Sequence, residues 1–253
     1  MSEWTKLISV RSTAWSLALL AVSTIGFTTL FTWLAVRQWD QTTPDGRARS
    51  MANPTATILD SGLYLGQIAV CVLGVLVISS EYSTGMIRSS LLAVPRRIGM
   101  LAAKGTVFAA LVTVLGEMVA FPSFLIGEAI IAPHVKVSLS DPGVTRAVLG
   151  TGLYLGVLGL FALGLGAIIR HSAGAIAAVL GFVLVLSQLA LLIPGSLGKH
   201  IYAYLPSNAG TQLMTTAQTP DQLLSPWQGF GVMCLWAALV LAVAGFLLAR
   251  RDA

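Results

Sequence analysis

Charge is scarce in this sequence. Of its 253 residues only 10% are Asp, Glu, Lys or Arg, while 56% are hydrophobic, and mean hydropathy is +0.83. A soluble domain carries about 25% charged residues. So few charges cannot cover a water-soluble globule of this size, which excludes an ordinary cytosolic enzyme and a disordered chain. Cysteine is scarce too. Cys71 and Cys234 both fall inside apolar runs, which excludes a disulfide-rich secreted scaffold. The three histidines, His134, His171 and His200, lie between the apolar runs, so haem or metal ligation within a bundle is not expected. The sequence has no HExxH, no GxSxG and no GxxxxGKS/T. It therefore offers neither a hydrolase signature nor a P-loop for ATP. We expect a non-catalytic chain with no cofactor or metal of its own.

What the sequence has is long apolar runs. A helix needs about 20 apolar residues to cross a hydrocarbon core of about 30 Å. Six runs meet that length: 14–36, 62–79, 105–132, 147–169, 174–193 and 227–249. The expected fold is an all-α integral membrane protein with six transmembrane helices and a single domain over 1–253. The first run is too long for the apolar core of a signal peptide and ends at Arg37 without a small-residue cleavage site. The net charge of +5 suits basic cytoplasmic loops better than nucleic-acid binding. With both termini cytoplasmic, the inner side holds nine basic residues: Lys6, Arg11, Arg88, Arg96, Arg97, Lys104, Arg170, Arg250 and Arg251. The outer side holds six: Arg37, Arg47, Arg49, Lys136, Arg146 and Lys199. Asp40, Asp45, Asp60, Asp141 and Asp221 also fall outside on this count. Trp33, Tyr64 and Trp227 stand at run ends, where aromatic anchors belong. Residues 1–13, with Trp4, Leu7, Ile8 and Arg11, suit an interfacial helix, or else a simple basic flank.

The second inner loop, 80–104, is the most informative stretch. It opens with Glu81, Tyr82 and Gly85, and carries Arg88, Leu92, Pro95, Arg96 and Arg97. Met86, Ile87, Leu91, Leu92 and Val94 give it an apolar side, and Pro95 stops a short helix there. Such a helix on the inner ends of two spans is a lever that a docking protein could push. A loop that only sets topology would carry the same basic residues.

This loop resembles the coupling region of ABC exporter permeases of the type-two superfamily, most closely their small six-span actinobacterial-style members. The likeness extends along the chain: 3–13 resembles their N-terminal elbow, 170–177 their turn between spans four and five, 204–210 their outer loop before span six, and 250–253 their basic tail. Met86 departs from a common Thr. The resemblance implies a division of labour. Two permease copies, identical or paralogous, would pair around a pathway in the cell membrane. A separate ABC ATP-binding subunit, holding ATP and Mg, would dock on Glu81, Tyr82, Gly85, Arg88, Leu92, Pro95, Arg96 and Arg97. The outer loop 194–226, with Pro194, Pro206, Pro220 and Pro226, would fold as short re-entrant helices.

The third span contains Glu117 and Glu128. Eleven helical steps return to within about 20° of the same face, about 16 Å along the axis. Thr113, Phe121 and Phe124 share that arc, and Pro122 lies between the acids. Acids inside a membrane face protein or water. They are candidates for a substrate pathway, and helix packing explains them equally simply. Gln67, Gln188 and the small-residue face Gly152, Gly156 and Gly159 point to packing. A rival of another class is a membrane binding or immunity protein that sequesters a ligand without nucleotide, for which the loop 80–104 would be dispensable.

Overall fold

The structure is a computed structural model that describes residues 11–83, 97–217 and 222–250, with side chains omitted at 11–20, 83 and 97. Among the described residues the fold is helical throughout. The long helices are α1 (Arg11–Arg37), α3 (Pro54–Ser83), α4 (Arg97–Ile131), α5 (Val144–Ile169) and α10 (Pro226–Arg250). Between them lie α2 (Pro44–Ala52), α6 (Ser172–Leu180), α7 (Leu186–Leu191), α8 (Gly195–Tyr204) and α9 (Pro206–Thr211). A π-helical step, Gly181–Val185, joins α6 to α7. Five segments are long and apolar enough to cross a membrane: Pro54–Tyr82, Ile98–Ile131, Val144–Ile169, Ser172–Leu191 and Pro226–Arg250. This makes the chain a multi-pass membrane protein.

The helices outrun the apolar windows. The span expected at 62–79 starts at Pro54 and continues to Ser83, so Asp60 sits on a helix and not in the outer loop. The span expected at 105–132 starts at Arg97, so 97–104 is helix and not loop. Hydropathy marks where water leaves a helix. Propensity and end signals mark where the helix begins, and residues 97–104, RIGMLAAK, are mostly good helix formers. The first outer loop also holds an unforeseen helix. Pro44 occupies the start of α2, and the hydroxyl of Thr43 accepts from the backbone N–H of Gly46 at 3.2 Å, a standard N-cap. In the expected elbow, residues 11–13 belong to α1, and 1–10 lie outside the described residues.

Helix α5 is the hub. It packs against α3, α4, α6 and α10, and its glycines set how near they come. A Cβ at Gly159 would lie 2.8 Å from the Phe108 ring of α4, one at Gly164 would lie 2.8 Å from Val240 of α10, and one at Gly166 would lie 2.8 Å from Ile78 of α3. Apolar burial drives little association in lipid, so close backbone approach and van der Waals contact hold such helices together. At the centre, wholly buried Tyr154 donates its hydroxyl to Gln67 Oε1 at 2.8 Å, joining α5 to α3. Gln188, by contrast, faces out of the bundle.

Helices α2, α8 and α9 gather at one end of the bundle. Helix α9 is tied to the π step, because the Ser207 hydroxyl donates to the Val183 carbonyl at 3.1 Å. Its Gly210 lies against the Tyr154 ring, where a Cβ would come within 2.7 Å. Asn53, between α2 and α3, latches the following segment: its Oδ1 accepts from the N–H of Thr216 at 2.9 Å, from the Thr216 hydroxyl at 2.7 Å and from the N–H of Ala217 at 3.1 Å. Arg146 adds a bond to the Thr215 carbonyl at 2.6 Å.

Candidate functional site

Two regions carry the residues singled out in the sequence. The first is the opposite end of the bundle, where α3 stops and α4 starts. Glu81 and Lys104 are both buried there, and the Lys104 ammonium donates to Glu81 Oε1. Each charge would be costly alone at this depth, and the pairing offsets much of that cost. The other carboxylate oxygen, Oε2, accepts no hydrogen bond among the described residues. The turn between α5 and α6 closes over the same place. Arg170 ends α5 with a left-handed backbone, φ +59°, and its guanidinium lies 5.0 Å from the centre of the Tyr82 ring. His171 Nδ1 accepts from the N–H of Gly174 at 3.2 Å and caps α6. Ser172 then donates to the Ser79 hydroxyl at 2.8 Å. Three helix ends and one turn are thus joined by polar contacts around the base of the segment 84–96.

Of the expected docking residues, Glu81 and Tyr82 take part in this base. Gly85, Arg88, Leu92, Pro95 and Arg96 lie outside the described residues. Arg97 begins α4. The sequence reading missed Lys104 and Arg170 as partners of Glu81 and Tyr82. Opposite charges at the facing ends of consecutive spans were the available signal for the first pair. The second needs the turn geometry.

The second region is the face of α4. Glu117 and Thr113 both turn toward the small-residue face of α5. A Cβ at Gly152 would lie 2.5 Å from Glu117 Oε1, and one at Gly156 would collide with the Thr113 hydroxyl. Glu117 Oε2 is buried and has no hydrogen-bond partner among the described residues. Phe124 is fully buried in a separate cluster with Ile58, Leu59 and Ile131, Phe121 packs at its edge, and Glu128 is half-buried. The five residues share an arc of one helix but do not converge on one point: Thr113 and Glu117 meet the glycine face of α5, while Phe124 sits in a cluster with Ile58 and Leu59 of α3 and Val144 and Val148 at the start of α5. Helix α4 continues unbroken through Pro122.

Along α1 runs a polar seam that the sequence reading did not single out. Thr24, Thr28 and Thr32 recur every fourth residue on α1, are buried, and have hydroxyls without partners among the described residues, as does Ser123 of α4. Thr29, on another face of α1, bonds the Ile25 carbonyl at 2.8 Å in the ordinary way. Thr28 sits on Gly62 of α3, where no Cβ would fit. Thr24, Thr28, Gly116, Ser123 and Thr151 line a small cavity of about 20 Å³, room for one water. Four-residue spacing of Thr within an apolar run was the legible signal.

No group of three His, Cys, Asp or Glu able to hold a metal occurs among the described residues. The arrangement can transmit force at one end and keep polar groups within the bundle. A scan against protein-family models and a search of curated proteins found no match to the chain.

Proposed function

We propose that this chain is the permease subunit of an ATP-driven exporter of the type-two ABC superfamily, acting in the cell membrane as one of two permease copies on a separate ATPase. On this reading α1 is a sixth span, both termini are cytoplasmic, and the ATPase docks on the loop 81–97. ATP and Mg belong to that partner, and this chain performs no chemistry.

The observation that carries the reading is the buried Glu81–Lys104 pair. It clamps α3 to α4 at the base of the segment between them. A load on that segment therefore reaches both helices together, and through Arg170–Tyr82 and Ser172–Ser79 it reaches the α5–α6 turn as well. A topology-setting loop needs no such clamp. For ATP to move the permease, the nucleotide-bound partner must bind one arrangement of these helices more tightly than another. The polar seam of α1 is where a pathway for a drug-, peptide- or lipid-like cargo would open as α1 moves away from α3 and α4.

The test is a gentle-detergent pull-down of the chain expressed with its neighbouring genes. A co-eluting P-loop ATPase with vanadate-sensitive turnover supports the reading. A clean membrane protein with neither transfers the weight to ligand sequestration without nucleotide.

A further inference from the structure

We infer that the groove between α4 and α10, at the Glu81–Lys104 end of the bundle, seats one acyl chain of an anionic phospholipid whose phosphate is held by Arg250. The groove encloses about 630 Å³. Its walls include Leu101 and Gly105 of α4, Leu160 of α5, and Leu241, Gly245 and Phe246 of α10. The one polar side chain along it, Thr106, donates to the carbonyl of Ala102 at 2.8 Å, so nothing on the walls solicits water. It opens sideways, where Ile98 is 61% and Phe246 53% exposed.

Its length and charge point to a lipid. Residues 98–106 of α4 and 241–249 of α10 run along it for about 12 Å, close to the depth of one leaflet in a core of about 30 Å. The next residue at its mouth is Arg250. Its guanidinium lies over the Phe246 ring, 4.4 Å from the centroid, and it forms no ion pair among the described residues. Stacking on an aromatic face leaves the edge donors of a guanidinium free for phosphate. Inside the groove, a Cβ at Gly245 would meet nothing within 4 Å, so the protein itself leaves that space open. An acyl chain fills the apolar length, and the anionic headgroup answers the cation at its end. Nothing in this depends on an ATPase partner.

Native mass spectrometry of the full chain, titrated with phosphatidylglycerol and with phosphatidylcholine of the same chains, tests it. Phosphatidylglycerol should bind preferentially. Arg250→Gln should weaken it roughly fivefold and weaken phosphatidylcholine less, because choline offsets the charge of its phosphate. Gly245→Leu, which enters open space, should reduce binding of both lipids without lowering the unfolding temperature. Equal binding of the two lipids, or insensitivity to Arg250→Gln, would overturn the proposal. So would efficient disulfide cross-linking between copies through Ala242→Cys on a Cys234→Ser background, which would give the groove to a second copy of the chain.

Discussion

Glu81 and Lys104, 23 positions apart, meet as a buried ion pair between the last turn of α3 and the early turns of α4. Removing one partner from such a pair strands a charge and costs about 3–5 kcal/mol, whereas replacing both by apolar groups is often close to neutral. Glu81→Leu or Lys104→Met alone should therefore sharply lower the unfolding temperature in detergent, and the double variant should recover most of it. A loss in the double variant equal to the sum of the two single losses would show that the two side chains are not coupled.

Glu117 and Gly152 are a second coupled pair. Gly152→Ala introduces a methyl group 2.5 Å from Glu117 Oε1, an overpacking that costs about 1–3 kcal/mol. Adding Glu117→Ala makes room, so the double variant should be more stable than Gly152→Ala alone. A double-mutant cycle with no coupling would remove Glu117 from the α4–α5 seam.

Thr28 buries a hydroxyl against Gly62, without a partner among the described residues. An unsatisfied hydroxyl costs about 1–3 kcal/mol, and Val has nearly the same shape. Thr28→Val should raise the unfolding temperature. If the seam forms part of a pathway, transport should fall in the same variant. Lower stability instead would mean that the hydroxyl has a partner, such as the water for which the neighbouring cavity has room.

Asn53 holds the segment after α9 through three bonds to its Oδ1. Asn53→Ala gives up roughly 1 kcal/mol for each. Hydrogen exchange of residues 215–217 should accelerate, while α5 keeps its protection. Unchanged exchange at Thr216 would show that the latch contributes nothing.

The long apolar runs made the membrane-spanning helices legible, since about 20 apolar residues leave a chain few other options. Helix ends were not legible by that rule. Asp60 and Lys104 interrupt hydropathy without interrupting a helix, so both were placed in loops while lying on helices. The small-residue face of Gly152, Gly156 and Gly159 was readable from its spacing, but its partners Glu117, Thr113 and Phe108 follow only from the arrangement of α4 on α5. The pair Glu81–Lys104 was hidden for the same reason: Glu81 reads as a docking residue and Lys104 as one basic residue of the inner loop, and burial alone reveals what they do together.

The account rests on the segment between α3 and α4 receiving an ATPase. The most direct measurement is vanadate-sensitive ATP hydrolysis by the complex purified through this chain, comparing the wild type with Arg96→Glu/Arg97→Glu. The account predicts a nucleotide-hydrolysing partner that co-elutes with the wild type and is lost from the double variant, while the chain itself keeps its unfolding temperature. A partner retained at full activity by the double variant, or no hydrolysing partner at all, would contradict it.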